Sequence, residues 1–122
     1  MTNTPAALIH PRILLAEDDQ AMRQFLASAL TRAGFEVTAV ADGMDALTRL
    51  ERELYDLLIA DIVMPGIDGM EVVKRVKELE PELPVVLITA YAEIPASVAA
   101  MRAGAFDYLA KPVSLDQLRT LV

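Results

Sequence analysis

The sequence predicts an α/β fold in which five parallel strands form one sheet, doubly wound with helices on both faces. Short, unbroken apolar runs recur along the chain, and such runs suit strands that are buried on both faces. Stretches with helical apolar spacing separate these runs, as expected of repeated strand–helix units. The length of 122 residues suits a single domain with one sizeable core.

Five predicted strands make up the sheet. Three are continuous apolar runs, at residues 12–16 (RILLA), 56–60 (DLLIA) and 84–88 (PVVLI). The other two, at 35–40 (FEVTAV) and 105–110 (AFDYLA), alternate between apolar and polar residues. Alternation is typical of strands that are half covered or lie at a sheet edge.

Three helices are predicted between the first four strands. The first has an apolar face that includes Phe25, and Gly34 is a natural stop. Asp42 and Asp68 are candidate N-caps of the second and third helices, and Pro81 closes the third. The apolar faces of these two helices comprise Leu47, Leu50, Leu54, Val72, Val73, Val76 and Leu79.

The C-terminal part of the chain predicts two further helices. The fourth begins near Pro95 and is rich in alanine, and Ser114 with Gln117 forms a capping box for the fifth. The sequence ends about two turns into this fifth helix, so we expect it to be truncated and part of something longer. Residues 1–11 are expected to form an N-terminal tail, and residues 12–122 the domain.

The composition narrows the classes of partner. A net charge of −7 argues against direct binding to nucleic acid or to an anionic membrane. The chain has no cysteine, which excludes disulfides and thiolate metal sites and fits a cytoplasmic protein. It contains neither a signal-peptide pattern nor an apolar run of the ~18 residues that a membrane span needs.

Polar residues follow the predicted strands at one edge of the sheet. Glu17 and Asp18 follow the first strand, Asp61 the third, Thr89 the fourth and Lys111 the fifth. Each has a simple structural explanation, such as a helix start, a turn or a solvated charge. Binding sites of open parallel sheets, however, form outside the carboxyl ends of the strands, so the shared position favours a site.

These residue types together predict phosphoryl chemistry. Carboxylates converging from two strand ends suit Mg²⁺, which prefers oxygen ligands and engages phosphate oxygens. A carboxylate beside such a metal can attack phosphorus, and Asp61 is the candidate nucleophile. Lys111 would offset the phosphoryl charge, and the Thr89 hydroxyl would donate to a phosphoryl oxygen.

The order and spacing of four motifs resemble the receiver domain of response regulators in bacterial two-component signalling. The motifs are ILLAEDD, LLIADIVMPGIDG, VVLITAY and GAFDYLAKP. The resemblance covers residues 12–122 and implies a flavodoxin-like, CheY-like fold with strand order 2-1-3-4-5. It also implies a signalling module that is phosphorylated by a histidine kinase, a phosphotransfer protein or a small acyl phosphate, and not an enzyme beyond its own phosphorylation and dephosphorylation.

The resemblance assigns a metal site to the acidic residues. It implies that Asp18 binds Mg²⁺ directly and Glu17 through water, together with Asp61 and the backbone carbonyl of Val63. Mn²⁺ is a possible substitute. Glu17 stands where the family more commonly has aspartate, and Asp19 would begin the first helix.

The resemblance also implies a conformational switch. Phosphorylation of Asp61 would draw Thr89 toward the phosphoryl group, held also by Lys111, and Tyr108 would turn into the vacated space. The face made by the fourth helix, fifth strand and fifth helix would then change shape, for an output domain, a protein target or a second copy of the chain. The motifs look most like receivers of NtrC- and FixJ-type transcription regulators.

Three other classes stay open. A phosphotransferase of the haloacid-dehalogenase type would need a second acid two residues after Asp61, where Val63 stands. A flavodoxin-like cofactor module would need a phosphate cradle where Glu17, Asp18 and Asp19 stand. The sequence does not exclude a pseudo-receiver that docks partners without being phosphorylated.

Overall fold

The computed structural model describes residues 11–62, 64, 66–67, 69–89 and 107–110. The described strands lie within one or two residues of their predicted bounds. The predicted fourth and fifth helices, the Asp68 cap and the N-terminal tail up to residue 10 lie outside the described residues. In chain order the elements are β1 (Arg12–Ala16), α1 (Gln20–Arg32), β2 (Glu36–Val40), α2 (Gly43–Arg52), β3 (Leu57–Asp61), α3 (Gly69–Leu79), β4 (Val85–Thr89) and β5 (Asp107–Ala110).

The sheet is parallel throughout and its strand order is β2-β1-β3-β4-β5, which confirms the predicted topology. The chain runs outward from β1 to β2 and then crosses back to β3 on the other side of β1. In open α/β sheets this reversal leaves a crevice at the carboxyl ends of the two central strands. Ala16 of β1 pairs with Ala60 of β3, so Glu17, the residue after β1, and Asp61, the last residue of β3, lie at the same level on adjacent strands.

The core lies on both faces of the sheet because successive strand residues point to opposite sides. One face packs against α2 and α3, and the other packs against α1. The α1 side is made of Ile13, Leu15, Leu26, Leu30, Ile59, Val86 and Ile88.

None of the helices within the described ranges is long and apolar enough to cross a membrane.

Three apolar residues assigned to helix faces by the sequence are exposed instead. Leu54 is 76% exposed because α2 ends at Arg52 and the chain continues in an extended conformation. Phe25 is half exposed, since Leu26 and Leu30 form the buried stripe of α1. Leu79, the last residue of α3, is also half exposed. The periodicity therefore located the helices but extended their buried faces too far.

Arg12 is the first residue of β1 and lies at the amino ends of the strands, opposite the end of the sheet where Glu17 and Asp61 lie. Its guanidinium lies 4.9 Å from the centroid of the Tyr55 ring. Nη2 of Arg12 is 3.2 Å from Oε2 of Glu53, and Nη1 donates to the carbonyl of Leu54 at 3.0 Å. The Tyr55 hydroxyl donates to Oε1 of Glu53 at 2.7 Å, and this hydrogen bond, followed by Arg12, lowers the pKa of Glu53.

The substitution Tyr55→Phe is expected to raise the pKa of Glu53 toward its ordinary value of 4.5, because the first cause of the lowering is lost. The ring under Arg12 is kept. A carboxylate with a lowered folded-state pKa stabilises the fold above its unfolded-state pKa, and that contribution is lost as the pH falls through the folded-state pKa. NMR titration of the Glu53 carboxyl carbon checks this, and an unchanged pKa in the variant would contradict it.

Candidate functional site

Three of the predicted site residues come together at the carboxyl ends of β1 and β3. Glu17, Asp18 and Asp61 each place a carboxylate oxygen within 4.8 Å of those of the other two. Glu17 is fully buried, Asp61 is 4% exposed and Asp18 is exposed. The cluster is thus closed toward the core and open toward solvent on the Asp18 side, which leaves a route for a ligand.

The turn after β1 holds Glu17 and Asp19, two of the three acidic residues that precede α1. The Glu17 amide donates to the carbonyl of Val40 at the end of β2, at 3.1 Å. The Asp19 amide donates to Oε2 of Glu17 at 3.0 Å, so the buried side chain turns back onto its own turn. The Asp19 side chain caps α1 by accepting from the Met22 amide at 2.8 Å, which confirms the predicted helix start.

The segment after β3 fixes the backbone of Asp61. The Ile62 amide donates to the carbonyl of Ile88 on β4 at 3.0 Å, and the Gly69 amide donates to the Ile62 carbonyl at 2.7 Å. Gly69, the first residue of α3, lies so close to β3 that a Cβ atom there would meet the Asp61 carbonyl oxygen at 2.5 Å. The start of α3 therefore packs directly on the backbone of Asp61.

The donor set fits a small hard cation. All three donors are carboxylates, the ligands that Mg²⁺ prefers, and opposite ligands of an octahedral Mg²⁺ lie about 4.2 Å apart. The three oxygens span up to 4.8 Å, a spacing that suits direct ligands together with a water-bridged one. Unit charges about 5 Å apart near a protein surface repel one another by roughly 3 kcal/mol. A bound divalent cation would remove that cost.

The other predicted site residues differ in how far they are located. Thr89 is the last residue of β4, and it pairs with Ala110 of β5, the residue before Lys111. Tyr108 lies in β5, in register with Leu87. Val63 and Lys111 lie outside the described residues. The backbone thus brings the Thr89 position to the same sheet edge as Asp61, which pairs with Ile88.

Two residues at this site were not singled out by the sequence. Gly69 gave no signal, because a glycine beside a candidate cap is ordinary. Arg23 gave only a weak signal in the sequence. In the structure its guanidinium Nη1 donates to the carbonyls of Glu17 and Asp18 at 2.8 Å and 3.3 Å. A cation in the first turn of a helix opposes the helix dipole, and that unfavourable position could have identified Arg23.

The substitution Gly69→Ala is expected to destabilise the fold by about 1–3 kcal/mol, the usual cost of overpacking, because the new methyl group would press on the Asp61 carbonyl. Helix propensity alone predicts the opposite sign, a gain of about 1 kcal/mol. Urea denaturation separates the two, and a variant as stable as the parent would show that α3 can move away from β3.

Comparison with known proteins agrees with this geometry. The family model of the response regulator receiver domain matches residues 13–122. The chain is 41% identical to the transcriptional regulator NtrC of Klebsiella pneumoniae over 108 residues, which is 88% of this chain and 23% of NtrC. It is 43% identical to the response regulator FleR of Pseudomonas aeruginosa over 111 residues, 91% of this chain and 24% of FleR. The chain therefore spans about a quarter of the length of these relatives.

Solved structures give the same family. A CheY-like receiver domain protein of Methanospirillum hungatei superposes with a TM-score of 0.88 at 31% identity, covering 93% of this chain and 90% of that one. The chemotaxis response regulator CheY4 of Vibrio cholerae superposes with a TM-score of 0.87 at 29% identity, covering 93% and 97%. The chain belongs to the response regulator receiver domain family.

Proposed function

We propose that this receiver domain accepts a phosphoryl group on Asp61, with a divalent cation held by Glu17, Asp18 and Asp61. The observation that carries the proposal is the convergence of three carboxylate oxygens within 4.8 Å at the end of the central strands. The family to which the chain belongs supports it. Mg²⁺ fits the oxygen donors best, Mn²⁺ could replace it, and the carbonyl of Val63 would complete the ligand set.

The proposed reaction is a displacement at phosphorus. A carboxylate oxygen of Asp61 forms the new O–P bond while the bond between phosphorus and the donor breaks. The bonding electrons leave with the donor, which is an imidazole nitrogen of a phosphohistidine or the carboxylate oxygen of an acyl phosphate. Mg²⁺, when bound, supplies positive charge near the phosphoryl oxygens. In the proposal, Lys111 adds a second positive charge and Thr89 a hydrogen-bond donor.

The structure favours Asp61 over its neighbours as the acceptor. The backbone after Asp61 is held to β4 by the Ile62 amide, and the start of α3 packs on the Asp61 backbone at Gly69. The backbone position from which the carboxylate extends is therefore fixed. Such fixed positioning is what an in-line attack requires. Glu17 is fully buried and accepts from its own turn, and Asp18 is exposed on the solvent side. These two suit ligands better than nucleophiles.

The partners and output follow from the proposed phosphorylation. A histidine kinase or a phosphotransfer protein would supply the phosphoryl group in the cytoplasm. Thr89 and Tyr108 would transmit it to the face formed by residues of the fourth predicted helix, β5 and the fifth predicted helix. That face would engage an output domain, a protein target or a second copy of the chain. Since NtrC and FleR are regulators, control of transcription is the output we propose, with any contact to DNA made outside this acidic domain.

Incubation with acetyl phosphate and Mg²⁺ is expected to add one phosphoryl group to the protein, measured as intact mass. The substitution Asp61→Asn and EDTA should each abolish the gain, because one removes the nucleophile and the other the cation. Asp45→Asn removes an exposed carboxylate on α2 and serves as the matched control. Borohydride reduction followed by peptide mapping should place the modified residue at position 61.

A gain in mass that survives Asp61→Asn would contradict the assignment of the acceptor. No gain from acetyl phosphate or from phosphorylated histidine kinases, in a protein that still binds Mg²⁺, would instead identify a pseudo-receiver.

A further inference from the structure

The Arg23 guanidinium lies against the turn after β1, which carries Glu17 and Asp18. Nη1 donates to the Glu17 carbonyl at 2.8 Å and to the Asp18 carbonyl at 3.3 Å. The side chain is half buried. We infer that Arg23 is a positioning residue, which holds the β1–α1 turn so that the Glu17 and Asp18 carboxylates face Asp61. The inference rests on the proposed function, since it assigns Arg23 a role in preparing that site.

Arg23 contacts the turn through its backbone as well as its side chain. Its own amide donates to the Asp19 carbonyl at 2.8 Å, as part of the first turn of α1. The Asp19 amide in turn donates to Oε2 of Glu17 at 3.0 Å. The guanidinium therefore ties the backbone of Glu17 and Asp18 to the same helical turn that orients the Glu17 side chain. Loss of the guanidinium would release both carbonyls at once.

The positive charge of Arg23 is unfavourable at this position for two reasons. A cation in the first turn of a helix opposes the helix dipole, so α1 alone would be better served by a neutral residue there. A fixed cation beside the acidic cluster also reduces the attraction of that cluster for Mg²⁺. Both effects disfavour arginine. The hydrogen bonds to the turn supply the compensating benefit, and guanidinium geometry allows one nitrogen to reach two neighbouring acceptors.

A charge role and a positioning role for Arg23 predict opposite changes in Mg²⁺ affinity when the guanidinium is removed. If the residue acts only through its charge, Arg23→Gln should bind Mg²⁺ more tightly than the parent, and Arg23→Lys should be unchanged. If it positions the turn, both variants should bind Mg²⁺ more weakly. Substituting a residue that orients metal ligands typically lowers the affinity for the metal by about 10- to 100-fold. We expect the Mg²⁺ affinity to fall roughly 10-fold for Arg23→Gln and by less for Arg23→Lys.

The test measures two quantities on the parent and the three variants Arg23→Gln, Arg23→Lys and Arg32→Gln. The first is the hydrogen exchange of the Asp19 amide in metal-free protein, and the second is the Mg²⁺ dissociation constant from NMR amide shifts. Arg32 is exposed in the last turn of the same helix, so its variant controls for the loss of one arginine charge from α1. We expect faster exchange of the Asp19 amide and weaker Mg²⁺ binding for the Arg23 variants, and parent-like values for Arg32→Gln.

Unchanged or tighter Mg²⁺ binding by Arg23→Gln overturns the inference, and so does unchanged exchange of the Asp19 amide. If Arg23→Gln fails to fold, Arg23→Lys decides by the same two readouts. If the parent binds no Mg²⁺, the proposed function fails, while the exchange measurement on metal-free protein still decides the role of Arg23.

Discussion

The repulsion among three carboxylates at the end of the two central strands is the constraint on which this structure depends. The pairing of Ala16 with Ala60 leaves Glu17 and Asp61 side by side as the strands end, and Asp18 follows on the open side. Parallel pairing therefore brings like charges together by topology and not by chance. A divalent cation bound by this all-oxygen donor set would offset that repulsion.

The surrounding structure restrains this arrangement from both sides. Between β1 and α1, the turn is held by Asp19, which caps the helix, and by Arg23, which binds two carbonyls. Between β3 and α3, Gly69 allows the helix to start against the backbone of Asp61. The opposite edge of the sheet is fixed separately, where Arg12 stacks on Tyr55 and pairs with Glu53.

The sequence predicted the sheet well because its information is local. Unbroken apolar runs in a chain of this length admit few alternatives to buried parallel strands, and the polar residue after each run marks the strand end. The convergence of Glu17, Asp18 and Asp61 followed from that pattern and the topology. The buried faces of the helices were predicted less well, since Leu54 lies past the end of α2 and Phe25 lies beside the buried stripe of α1. The contacts of Arg23 and Gly69 depend on tertiary distances that no local pattern encodes.

The most direct test of the charge cluster as a cation site is the free energy of unfolding with and without Mg²⁺, for the parent and for Asp18→Asn. Asp18 is exposed, so the substitution removes one charge and creates no cavity. Without Mg²⁺ we predict that Asp18→Asn is more stable than the parent, because one repulsive charge is gone. Added Mg²⁺ should stabilise the parent more than the variant, since binding to the folded state alone raises its stability. A variant no more stable than the parent in the absence of metal, together with a parent that gains nothing from Mg²⁺, would contradict the account.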